Sequence, residues 1–215
     1  MNILDFDAER HKDGVLPAVF KKTNQLFFDH YKEYQPSVKD IDVPIDIDTY
    51  EGQQAMKDFL QIRTVEELME MREALMENHV EMHMHEEVGD SFNFLINSYI
   101  LYGWDHNNFT PIEKLWDEFE ENTYTPLDKE KFRRLIDEKI IDVVYNIHLA
   151  CNKLKIRQWK KSQYLTDMLI FEERYEQVFY SFINLIFTLN IDPELLWSIF
   201  SRKNQCNEFR LNTGY

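Results

Sequence analysis

Glycine, proline and cysteine are all scarce in this sequence. Five glycines and six prolines in 215 residues supply too few turn-formers for a sandwich or barrel of many short strands. Long amphipathic runs instead point to an all-α fold. Two cysteines, Cys151 and Cys206, are too few for a disulfide framework and fit a reducing compartment. No run of about 20 apolar residues occurs, so no membrane span is expected. The N-terminus is acidic and lacks a leader pattern, so a cytoplasmic location is expected. Positive charge is also short: 24 Lys and Arg stand against 39 Asp and Glu, a net charge of -15. That balance argues against broad binding to a nucleic-acid backbone. It leaves open a small anion held by a local basic cluster or by a divalent metal.

What is present is helical periodicity. Apolar residues from Val15 to about Tyr34 recur at helical spacing, and Pro36 ends the run. Asn24 and Gln25 lie on this helix, either on a solvated face or as amides able to match a pyrimidine edge. Residues 37–48 read as a loop with a possible short extended segment, and 49–60 as a weakly patterned helix. Thr64-Val65-Glu66-Glu67 has the spacing of a capping box, with Thr64 as N-cap. The next helix runs to about Tyr102, with Gly103 as its stop. Residues 104–128 form an irregular acidic insert holding one short helix. Asp128 caps a long helix to about Leu154, another spans about 166–189, and Asp192-Pro193 opens the last.

Two groups of residues carry chemistry. Glu67 and Glu70 form a Glu-x-x-Glu pair, and Glu87 and Asp90 form a Glu-x-x-Asp pair. Residues three apart share a helix face, so antiparallel packing brings the four carboxylates together. Four ionised carboxylates require a cation, and an all-oxygen donor set suits Mg²⁺. The plain alternative is a solvated acidic face. A second metal reading joins His79 and His83 to Glu87 and Asp90, which suits Zn²⁺ or iron. On the basic side, Lys203, Asn207 and Arg210 fall at i, i+4 and i+7, one face of the last helix, with Asn204 one step off it. Lys and forked Arg donors with an amide suit a phosphate clamp, and a basic helix end is the alternative. Arg157, Trp159, Lys160 and Lys161 make a second basic group, in which Trp159 can stack on a base or simply pack.

These motifs resemble the dimeric dUTPases of the all-α NTP pyrophosphatase superfamily, in their phage-type branch. The resemblance lies in Glu67/Glu70 followed by Glu87/Asp90, in Asn93-Phe94 along the same helix, and in Lys203-Asn204 through Asn207, Phe209-Arg210 and Gly214-Tyr215. It spans most of residues 15–215. It implies a helical bundle of the all-α NTP pyrophosphatase type over 1–215, forming a single domain. It implies Mg²⁺ on Glu67, Glu70, Glu87 and Asp90, with Glu67 or Glu70 acting catalytically on the attacking water. It places Lys203, Asn207 and Arg210 on phosphates, Asn204 and Tyr215 nearby, and Asn24, Asn93, Trp159 and Lys160 on the nucleotide. Thr23 stands where the family offers a glutamine to uracil, and Asn93 where it often has histidine.

The expected function is Mg²⁺-dependent hydrolysis of dUTP to dUMP and pyrophosphate by a homodimer, in the host cytoplasm if phage-encoded. The homodimer is also suggested by the aromatic face at 179–187. One alternative is the same chemistry on another pyrimidine triphosphate such as dCTP or dTTP. The other is a non-catalytic protein-interaction module that keeps the fold.

Overall fold

A computed structural model describes residues 14–77, 80–121, 128–157, 159 and 166–213. Among these residues the chain is all-α and holds no strand. Its helices are α1 (Val15–Leu26), α2 (Lys32–Tyr34), α3 (Tyr50–Lys57), α4 (Val65–Glu77), α5 (Val80–Tyr102), α6 (Ile112–Glu121), α7 (Lys129–Cys151), α8 (Met168–Thr188) and α9 (Pro193–Thr213). None among the described residues is long and apolar enough to cross a membrane.

α7, α8 and α9 start where their sequences offer a carboxylate acceptor. Asp128, Asp167 and Asp192 accept the backbone N–H three residues on, at Lys131, Ile170 and Leu195. Each satisfies a donor that the first turn would otherwise leave open. α5 stops at Tyr102, where the Gly103 and Trp104 N–H groups turn back to the Ile100 and Tyr99 carbonyls.

The region before α4 departs from expectation. Thr64 does not cap a helix there. The chain passes from α3 through a π-helical stretch, Asp58–Thr64, directly into α4. The Thr64 hydroxyl donates to the Phe59 carbonyl five residues back, at 2.7 Å. Arg63 pairs with Asp58, also five back, at 2.9 Å. In an α-helix such residues are turned well away from each other, and the wider π turn brings them together. Each inserted residue rotates the chain beyond it by about 100°. The winding of this stretch therefore sets which face α4 presents to α5.

α5 is the axis of the molecule. From Val88 to Leu101 nearly every residue is buried, and a helix covered all round must have neighbours on all sides. It packs against α1, α4, the π-helical stretch and α9. Phe92 stacks on Phe182 with ring centroids 5.6 Å apart and meets Phe200 edge-on at 6.0 Å. Tyr99 lies 4.5 Å from Tyr175 and 4.7 Å from Phe109. Burying each such ring is worth about 1.5–3 kcal/mol. The residues at 179–187 are spent in the same way: Phe179, Phe182 and Phe187 are buried inside the chain. The aromatic face that suggested a homodimer is thus covered by the chain itself. The short helix expected in the acidic insert is α6, whose Trp116 and Phe119 pack on Phe187, while Glu113 accepts the Val15 N–H at 2.7 Å.

Candidate metal centre

The acid constellation forms between α4 and the first turns of α5. Leu68, Met71 and Leu75 point α4's apolar side into the core, which leaves Glu67 and Glu70 on the flank facing α5. One carboxylate oxygen each from Glu67, Glu70 and Glu87 lies within 4.8 Å of the others. Glu87 is 7% exposed, and its Oε2 is buried with no hydrogen-bond partner among the described residues. Burial, with the nearby charges of Asp90, Glu87 and Glu70, pushes the Glu67 carboxyl up to about 8. Burial likewise raises Glu87, despite its bond with Glu67, and raises Asp90. Hard oxygen donors, mutual repulsion and an orphaned anionic oxygen together fit a hard divalent cation.

Asp90 is not part of that close grouping, although its charge reaches Glu67. It lies one turn further along α5, and Lys203 of α9 bonds to its carboxylate. Lys203, and Arg210 from further along α9, both hold the Asp90 carboxyl down against its burial. Gly89 makes this approach possible. A Cβ placed there would lie 3.3 Å from Ile199 Cγ2 and 3.4 Å from Lys203 Cβ, so α9 crosses α5 almost in contact with its backbone. Sequence reasoning passed over Gly89. A lone glycine inside a strongly periodic helix was the available sign of a close approach.

A polar seam continues inward from Asp90. Asn93 donates from Nδ2 to Asn204 Oδ1 at 3.2 Å, tying α5 to α9. Asn204 donates to the Phe200 carbonyl, and Asn97 to the Asn93 carbonyl. Asn204, expected just off the basic face, is 1% exposed. Thr23 of α1 is buried, with its hydroxyl unpaired among the described residues.

The remaining candidates fall elsewhere. Asn24 is exposed and lines an open cavity of about 1270 Å³ with Lys21, Gln25, Phe28 and Trp104, and none of the four carboxylates lines it. That cavity includes Ile100, thirteen residues beyond Glu87, or about 20 Å along α5. Trp159 is 77% exposed and lines a separate depression, again without the carboxylates. Asn207 is half-buried and Arg210 exposed, on the same side of α9 as Lys203. His83 is exposed, with Nδ1 3.7 Å from Glu87 Oε1. Lys160, Tyr215 and His79 lie outside the described residues.

Comparison of the chain with protein-family models, curated proteins and solved structures returns no match.

Proposed function

We propose that this chain is a Mg²⁺-dependent nucleoside triphosphate pyrophosphohydrolase, with dUTP as its substrate and dUMP and pyrophosphate as its products. The observation that carries this reading is the triad Glu67, Glu70 and Glu87, which meets the basic face of α9 across Asp90 and Lys203. Carboxylates on one side and a lysine–arginine face on the other match the two needs of a triphosphate: a site for its counter-cation, and donors for its phosphate oxygens. The family resemblance supplies the order of the motifs along the chain.

Glu67, Glu70 and Glu87 would hold the ion, and Asp90 would join them once Lys203 turns to a phosphate. A bound divalent cation supplies charge neutralisation and a more acidic water. In this reading one of Glu67 and Glu70 orients that water for in-line attack. Lys203 and Arg210 take up charge on the leaving phosphates, with Asn207 between them. Asn93, held by Asn204 one turn inward from Asp90, offers an amide to a pyrimidine edge.

The test is a panel of dUTP, dCTP, dTTP and UTP assayed for pyrophosphate release with and without Mg²⁺. Hydrolysis of dUTP alone, dependent on Mg²⁺ and abolished by Glu67→Ala and by Asp90→Ala in folded protein, is the expected result. Turnover of another pyrimidine triphosphate would move the substrate, and retained turnover in both variants would sink the site. No turnover and no Mg²⁺ binding with a non-hydrolysable dUTP analogue would favour an interaction module instead. The reading includes a homodimer, for which the exposed Ile141 and Tyr145, one turn apart on α7, offer an apolar strip. A monomer mass at micromolar concentration counts against it.

A further inference from the structure

The depression that holds Trp159 is unusual in so acidic a chain. Its volume is about 300 Å³, and it is lined by Tyr50, Gln54, Lys57, Gln61, His148, Cys151, Asn152, Arg157 and Trp159. None of these is an Asp or Glu, although the sequence holds 39 of them. Two basic side chains converge there. Lys57 Nζ and Arg157 Nη1 both donate to the Leu154 carbonyl, at 3.1 and 2.8 Å. Burial lowers the Lys57 pKa and the neighbouring Arg157 charge lowers it further.

The site is also built in advance. Gln53, fully buried on α3, uses both ends of its amide to fix the loop beyond α7. Its Oε1 accepts the Ile156 N–H at 3.0 Å, and its Nε2 donates to the Ile47 carbonyl at 2.9 Å and the Thr166 hydroxyl at 3.0 Å. Gln61 contacts His148 Nδ1 at 3.0 Å across the opening. The Arg157 guanidinium lies 6.0 Å from the centre of the Trp159 ring, beside an aromatic face that is mostly open.

We propose that this depression binds a nucleoside monophosphate, at a site separate from the acid triad. Lys57 and Arg157 take the phosphate, a dianion that matches the two converging cations. Gln54, Asn152 and Tyr50 offer neutral donors around it. Trp159 offers a platform for the base, which every nucleobase can use. The volume lies at the lower end of ligand pockets and suits a ligand of that size. None of Glu67, Glu70, Glu87 and Asp90 lines the depression.

The test uses the full-length chain in EDTA, titrated by calorimetry with uridine 5′-monophosphate and, separately, with inorganic phosphate. Saturable binding of the nucleotide, tighter than that of phosphate, is expected. Lys57→Gln with Arg157→Gln should weaken it by about tenfold or more. Trp159→Ala should weaken the nucleotide about threefold or more and leave phosphate unchanged. Glu67→Gln should leave both unchanged. Trp159 is largely exposed, so its variant keeps the test valid if the double variant does not fold. No saturation by about 10 mM nucleotide, equal affinity for nucleotide and phosphate, or loss of binding in Glu67→Gln would each overturn the proposal. Nucleotide turnover plays no part in these readings, so the site stands or falls independently of the proposed hydrolysis.

Discussion

Glu67 shows how one residue links charge, burial and stability. Its carboxyl is raised from the ordinary 4.5 to about 8 in the folded chain, so the folded state binds that proton more tightly than the unfolded state. The sign follows from linkage: this contribution is fully present below about 4.5 and is lost as pH rises through about 8. The metal-free protein is therefore expected to melt at a lower temperature at pH 9 than at pH 5. Glu67→Gln, neutral throughout, should flatten that decline, and Mg²⁺ added at pH 9 should reverse it in the parent chain only. Thermal melts in EDTA at several pH values, with and without added Mg²⁺, check this; an equal decline in the variant would count against it.

The cysteines give a second residue-scale expectation. Burial pushes the Cys151 thiol up to about 12, whereas Cys206 is exposed. At pH 8 a thiol reagent should modify Cys206 within minutes and reach Cys151 only after denaturation, because the thiolate is the reactive form. Mass spectrometry of the labelled peptides decides it.

At the scale of elements, the contact between α5 and α9 controls the site. Gly89 allows the close crossing, Asp90 meets Lys203, and Asn93 meets Asn204 one turn further in. Asn204→Ala would leave the Asn93 Nδ2 group buried without its partner. A loss of about 1–3 kcal/mol is expected from urea unfolding. Gly89→Val forces side-chain bulk against Ile199 and Lys203 and should cost about 1–3 kcal/mol by overpacking. Unchanged stability in both variants would show that the two helices do not depend on this seam. The π-helical stretch before α4 belongs to the same scale. It replaced an expected N-cap, because the Thr64 hydroxyl found an acceptor within its own helix.

Across the whole molecule, α5 is wrapped by its neighbours and its two ends differ in character. Its first turns meet carboxylates and the basic face of α9, while its last turns meet the aromatic cluster of Tyr99, Trp104, Phe109 and Tyr175. The open cavity near the second end and the basic depression beside α7 are separate features of the surface. Residues that the family resemblance placed in one substrate site, Asn24 and Trp159 among them, are thereby distributed over three places.

The sequence alone determined the helical class, the starts of α7 and α9, and the stop at Gly103. Each of these depends on local rules: periodicity, a side-chain acceptor at an N-cap, a glycine after the last turn. It also determined that Glu67 and Glu70 share a face, since three-residue spacing on a helix fixes that whatever surrounds it. Tertiary structure decided the rest. Whether Glu87 joins that pair depends on how α4 is rotated after the π-helical stretch, and whether Asp90 faces the triad or Lys203 depends on how closely α9 crosses at Gly89. Both depend on how one helix packs against another, which lies beyond the reach of any spacing rule within a helix.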